Sequence, residues 1–93
     1  MRVKELIEIL EDQDPNAEVL TISQKSWPFE YEVAGVTARR EVRRAEREEN
    51  GEEDDNDAAD AEEDRRERTA PTDVLIVEGK QLRYGSKAAW RVV

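Results

Sequence analysis

An α+β fold is what this sequence predicts: an N-terminal helix packed on a three- to four-stranded, mostly antiparallel sheet, with a long acidic loop inserted between strands. Three observations carry that expectation. Val3, Leu6, Ile7 and Leu10 fall at i, i+3, i+4 and i+7, the single apolar stripe of an amphipathic helix. Trp27, Phe29, Tyr31 and Val33 alternate with Pro28, Glu30, Glu32 and Ala34, the period of two that belongs to a strand. Between Arg39 and Arg68 no apolar period exists, and charged residues take over.

The helix is expected over Arg2–Glu11. Lys4, Glu5, Glu8 and Glu11 face water there, and Lys4 and Glu8 are one turn apart. Asp14-Pro15 stops it, because the residue before proline avoids the helical region. A first strand follows around Glu18–Ser23, built on the β-formers Val19, Leu20, Thr21 and Ile22. The second is placed at about Phe29–Arg40. Pro28 cannot donate to a ladder and so marks a strand start or an edge, and Gly35 suggests a bulge. The third, Val74–Val77, is a continuous apolar run of the kind found in central strands covered on both faces, ended by Gly79. Leu82 and Tyr84 alternate again, Gly85-Ser86 turns the chain, and Ala88–Val93 forms a last strand or a short helical turn. A helix across such a sheet would cover every apolar face.

Ninety-three residues allow one domain, expected to span residues 1–93. Hydrophobic residues are 37% of the chain and charged residues 42%, which suits a folded body of roughly 60 residues with a polar excursion. Residues 41–70 are that excursion, read as a charged, flexible insertion. Asn50-Gly51 is a turn signal inside it. "DAADAEEDRRER" has helical propensity, with Glu62–Arg66 and Asp64–Arg68 spaced for weak pairs, but without an apolar face such a helix is expected to flicker.

The charge is unevenly placed. Between Glu46 and Asp64 stand twelve acidic residues and one basic residue, Arg47, so that segment carries −11 of the net −9. The rest holds twelve acidic and fourteen basic residues and is nearly neutral at +2. Its acidity is therefore local, unlike that of a salt-adapted surface.

"VKELIEILEDQDPNAEVLTIS" resembles the opening of many small uncharacterised phage and bacterial proteins. Their pattern is a VKELIExL helix, then D-P-x-A-E-V, then a strand. Here Val3-Lys4-Glu5-Leu6-Ile7, Leu10, Asp14-Pro15 and Ala17-Glu18-Val19 carry it. Such proteins finish with a "VVLxxEG"-like strand, which Val74–Gly79 looks like. The likeness covers roughly half the chain. The relatives often place Thr or Ser as a helix cap where Arg2 stands, and a short loop where roughly thirty residues intervene here. The resemblance implies a fold and a phage-related setting. It implies no activity and transfers no catalytic residue.

Enzyme chemistry is not expected. The chain has no histidine and no cysteine, which removes the commonest general base and the strongest nucleophile. Serine occurs only at Ser23, Ser26 and Ser86, with no base motif beside it, and the four glycines are scattered at 35, 51, 79 and 85, so no phosphate-cradling loop forms. Glu53, Asp55 and Asp57 alternate as calcium-loop ligands do, but Ala58 stands at the turn glycine and Asp64 at the terminal glutamate. Neither a metal nor an organic cofactor is expected. No apolar run approaches the ~20 residues that span a bilayer, and acids interrupt the opening "MRVKELIEILED", so no secretory leader and no membrane association are expected. A cytoplasmic home fits, the host's if a phage encodes the chain.

Two groups remain as binding candidates. The acidic set is Glu48, Glu49, Glu52, Glu53, Asp54, Asp55, Asp57, Asp60, Glu62, Glu63 and Asp64. Such a run of carboxylates can mimic the phosphates of nucleic acid and dock in a basic groove, or it can simply solvate a loop. The basic set is Arg39, Arg40, Arg43 and Arg44, with Lys80, Arg83, Lys87 and Arg91 beside Tyr84 and Trp90. These can contact phosphates while the rings stack on bases. The plainer expectation is that Tyr84 and Trp90 anchor the sheet, and that the arginines pair with the neighbouring acids. The expected function is a non-enzymatic binding protein of the anti-defence inhibitor kind, offering an acidic, nucleic-acid-like loop to a basic, nucleic-acid-binding protein. The alternatives are direct nucleic-acid association through the basic set and an inert solubilising loop.

Overall fold

The computed structural model describes residues 1–51 and 57–93. Four helices and three strands follow in the order α1 (Val3–Glu11), β1 (Leu20–Ser23), β2 (Phe29–Ala38), α2 (Arg39–Glu49), α3 (Asp57–Glu67), β3 (Val74–Tyr84) and α4 (Ala89–Val92). The strands form one antiparallel sheet in the order β1-β2-β3. The protein is α+β, with an N-terminal helix and a three-stranded antiparallel sheet, as expected. The chain divides into two compact units, Met1–Gly35 with Val77–Val93, and Val36–Ile76.

In the first unit, α1 begins after Arg2. The guanidinium of Arg2 can only donate, so it cannot cap the helix, and the Glu5 carboxylate instead accepts the Arg2 N–H at 3.4 Å. Gln24, with φ of 65°, opens the β1–β2 turn, and Trp27 N–H donates to its carbonyl at 2.8 Å. The hairpin register pairs Leu20 with Glu32, Thr21 with Tyr31, Ile22 with Glu30 and Ser23 with Phe29. Pro28 is buried just ahead of β2, and its carbonyl accepts the Gly85 N–H at 2.9 Å. That bond holds the end of β3 against the start of β2.

Gly85 sits at a close approach. A Cβ there would lie 2.6 Å from Ile22 Cδ1 and 3.3 Å from Pro28 Cβ. Alanine can be admitted by a rotation of the Ile22 tip, whereas valine cannot. Gly85→Val is expected to lower stability by about 1–3 kcal/mol, and Ile22→Ala in the same chain to recover part of the loss. Thermal unfolding of the two variants checks this; equal midpoints for Gly85→Val and the native chain would remove the steric account.

The second unit is built around α2 and α3. Ala38, at the N-cap of α2, has no side chain that can cap it. The first N–H groups find carbonyls elsewhere: Arg39 N–H donates to Asp73 at 2.9 Å and Arg40 N–H to Pro71 at 3.1 Å. Gly51 takes a left-handed conformation, φ 73°, just beyond α2, where the Asn50-Gly51 turn was expected.

Several expectations are corrected. β2 ends at Ala38, not Arg40, because α2 starts at Arg39. The segment expected to be an aperiodic, flexible insertion holds two eleven-residue helices among its described residues. Their joining face is ionic rather than apolar, which an apolar period does not reveal. β3 runs through Gly79 to Tyr84 and lies at the sheet edge rather than the centre. Its Val74, Ile76 and Val77 are exposed. The apolar faces are not all covered: apart from Pro28, no aliphatic or aromatic side chain among the described residues is buried, and Leu6 is the only half-buried position of α1. The closing segment resolves as a helical turn, α4.

Candidate functional site

Arg39, Arg43 and Arg47 recur every four residues and so stand on one face of α2. Each meets an aspartate from the returning chain, in reversed order. Arg39 Nε donates to Asp73 Oδ2 at 3.2 Å. Arg43 grips Asp64 with both terminal nitrogens, Nη1 to Oδ2 at 3.1 Å and Nη2 to Oδ1. Arg47 Nη1 donates to Asp60 Oδ2 at 2.8 Å. The reversed order makes α2 and α3 an antiparallel helical hairpin, with a ladder of ion pairs where a hydrophobic seam would usually run.

The middle rung is the best built. Arg43 is only 9% exposed and is the one charged residue buried among those described. The forked geometry matches guanidinium to carboxylate. Thr69 completes the cluster: its hydroxyl donates to Asp64 Oδ1 at 2.8 Å and accepts from Arg43 Nη2 at 3.5 Å. Arg68, left-handed with φ 59°, follows α3 and lets the chain turn back; the Thr69 N–H donates to the Asp64 carbonyl at 2.9 Å. The Arg43 and Thr69 hydrogen bonds hold the Asp64 carboxyl below the usual aspartate range, and the Asp64 bond holds the Arg43 guanidinium above its ordinary value. Asp73 is also lowered, chiefly by the Ala70 N–H at 2.9 Å and then by Arg39.

The acidic set therefore divides. Asp60 and Asp64 face inward on Arg47 and Arg43. Glu48 and Glu49 end α2, exposed, and Glu62 is exposed on α3; none of these three has a cationic partner among the described residues. Glu63 is half-buried and adds to the negative field at Arg43. Asp57 opens α3, while Glu52, Glu53, Asp54 and Asp55, including part of the calcium-like pattern, lie outside the described residues. No cluster of three acids among the described residues is arranged to hold a metal ion.

The basic set divides as well. Arg39 and Arg43 are taken by Asp73 and Asp64, as the expected self-pairing requires, and Arg44 meets Glu41 at 3.2 Å. Arg40 is exposed. Arg83 reaches Glu30 at 2.7 Å, while Lys80, Lys87 and Arg91 are exposed without a carboxylate partner among the described residues. Trp90 is half-buried, but Tyr84 is 71% exposed and does not anchor the sheet. It stands edge-on to Trp27, itself 65% exposed, with centroids 6.4 Å apart, and leans on Phe29 at 5.0 Å. Sequence reasoning missed Thr69, Asp73 and the Trp27–Tyr84 pair. The hairpin did leave a signal, since Arg43 and Arg47 are four apart and so are Asp60 and Asp64.

Fold and site together define an α+β protein carrying an ion-paired pair of antiparallel helices whose connecting sequence is rich in acids. No known protein family matches the chain, and neither a curated protein nor a solved structure does. No helix among the described residues is long and apolar enough to cross a membrane.

Proposed function

We propose that this is a small non-enzymatic binding protein, phage-related and cytoplasmic, that offers the acid-rich end of its helical hairpin to a basic protein partner such as a nucleic-acid-binding protein. One observation carries the reading. Arg39, Arg43 and Arg47 of α2 are paired with Asp73, Asp64 and Asp60, while Glu48, Glu49 and Glu62 stay exposed without a cationic partner among the described residues. A concentrated negative field of this kind steers a cationic surface toward it. A second reading has its own observation. The exposed Trp27–Tyr84 pair shares a unit with Lys80, Lys87 and Arg91, which have no carboxylate partner among the described residues, a combination suited to stacking on single-stranded nucleic acid.

One titration separates them. The chain is expected to bind an oligo-arginine peptide in a salt-sensitive manner. Changing Glu48, Glu49 and Glu62 to Gln, with the inward aspartates untouched, is expected to weaken that binding on the order of tenfold while helical content stays constant. Salt-sensitive binding of labelled single-stranded DNA, lost in Tyr84→Ala and unchanged in the three-Gln variant, would reject the first reading in favour of the second.

A further inference from the structure

β3 is the longest strand and lies at the sheet edge. Among the described residues, no backbone hydrogen bond outside the sheet engages any of Val74–Tyr84. Its outer row of N–H and C=O groups therefore has no backbone partner among the described residues. The opposite edge, β1, is only four residues long, and shortness is itself a protection. β3 has eleven residues, no proline, and exposed Val74, Ile76, Val77 and Tyr84. An edge of that length and apolarity is a template for another strand.

The sequence of β3 names the strand that fits. Gly79 is its midpoint, with five residues on either side. If a second β3 is laid antiparallel with Gly79 opposite Gly79, Val74 faces Tyr84, Ile76 faces Leu82 and Glu78 faces Lys80, each pair occurring twice by symmetry. All six residues lie on one face, because side chains alternate along a strand. The pairs are aromatic with β-branched, aliphatic with aliphatic, and acid with base, the three combinations that stabilise directly opposed positions. On the other face Leu75 meets Arg83, Val77 meets Gln81, and the two glycines meet at the axis. A lone edge lysine would repel a second copy. Here Glu78 and Lys80 straddle the axis with opposite signs, so the charges select this register instead of opposing association. Both are available: Lys80 has no partner among the described residues, and Glu78 has only the Thr21 hydroxyl, at 3.5 Å.

We infer that β3 is a self-recognition edge, and that two copies of this chain pair their β3 strands antiparallel about Gly79, joining two three-stranded sheets into a six-stranded one. The occupant is a second copy because the complementarity is palindromic, as an isologous two-fold interface demands. The inference is independent of what the acidic hairpin binds.

Charge exchange at the axis tests it on the full chain. Native protein is expected to show a concentration-dependent dimer in sedimentation velocity and native mass spectrometry. Glu78→Lys alone sets lysine against lysine at both pairs, and Lys80→Glu sets glutamate against glutamate. Each is expected to raise the dimer dissociation constant about tenfold. Mixing the two variants restores both opposite-charge pairs, so the mixture is expected to form the heterodimer in preference to either homodimer. The double exchange Glu78→Lys with Lys80→Glu is expected to dimerise like the native chain. Both positions are exposed, and the circular dichroism of each variant verifies its fold. Native protein that stays monomeric at the highest concentration it tolerates overturns the inference. So does a dimer indifferent to both single exchanges, or one in which the mixed variants show no preference for each other. Capture of a foreign extended peptide along β3 by a chain that never self-associates assigns the edge to a different partner and also overturns it.

Discussion

Arg43→Met is expected to produce the largest fall in stability of any single arginine substitution in this chain. Methionine keeps much of the length and apolar stem of arginine but carries no charge. Asp64 would remain in a half-buried position with the Thr69 hydroxyl as its chief support, after losing both guanidinium bonds. Removing one partner of a shielded pair costs far more than the pair contributes, because the survivor stays desolvated and uncompensated. The expected drop in melting midpoint is on the order of 10 °C. Arg44→Ala is the control: its i,i+3 pair with Glu41 is exposed, and the expected change is within about 2 °C. Arg43→Lys should fall between them, since an ammonium keeps the charge but cannot supply the fork. Combining Arg43→Met with Asp64→Leu should recover much of the loss, because the stranded carboxylate is gone and only the Thr69 hydroxyl is left to find a new partner. Amide hydrogen exchange reads the effect locally. Faster exchange in Arg39–Glu49 and in residues 60–67 is expected for Arg43→Met but not for Arg44→Ala. Equal effects of the two substitutions would show that the ladder does not hold the hairpin.

That ladder also explains which parts of the structure were legible in the sequence. α1, β1 and the start of β2 follow from patterns of apolar residues, and the structure places them within two residues of expectation. The second unit obeys the same geometry with different chemistry. Its inward stripe is the buried Arg43 flanked by the half-buried Arg39 and Arg47, so a search for apolar periodicity passes over it and finds only a charged run. A helix face is defined by what it turns away from water, and here shared charge serves that purpose. β3 misled for another reason. Val74–Val77 resembles a central strand because it is apolar throughout, but an edge strand reserved for a partner has the same composition. Gly79 looked like a terminus, yet β3 continues through it to Tyr84.

The candidate site was legible in part. The concentration of acids was plain from counting, and pairing of the arginines with neighbouring acids was expected from their proximity. The particular partners were not. Asp73 lies thirty-four residues from Arg39 and pairs with it only because the chain returns to β3. Tyr84 was expected to anchor the sheet because aromatic residues are few and usually packed. In the structure its ring stands outward against Trp27, which alternation along a single strand could not reveal.

Acidification is expected to melt the hairpin in a window set by Asp64 and Asp73. Both carboxyls are held below the ordinary aspartate value in the folded chain, Asp64 first by Arg43 and Asp73 first by the Ala70 N–H. A carboxyl depressed on folding binds fewer protons in the folded state than in the unfolded one, so protons favour unfolding. The stability these two groups contribute is therefore fully present above the ordinary aspartate pKa of about 3.9. It declines below that point and is gone once the pH has passed through their depressed folded values. Helical circular dichroism should be level from neutral pH to about 4 and then fall. Asp64→Asn supplies the decisive comparison. The variant lacks the charge at every pH, so it should be less stable than the native chain at neutral pH, and the gap should narrow as the native Asp64 becomes protonated. The gap is measured by denaturant titration at a series of pH values under constant ionic strength. A gap that stays constant from neutral pH through the acid transition would mean that the ionisation of Asp64 does not hold α2 to α3. In that case the carboxylate is only a shape that asparagine fails to reproduce.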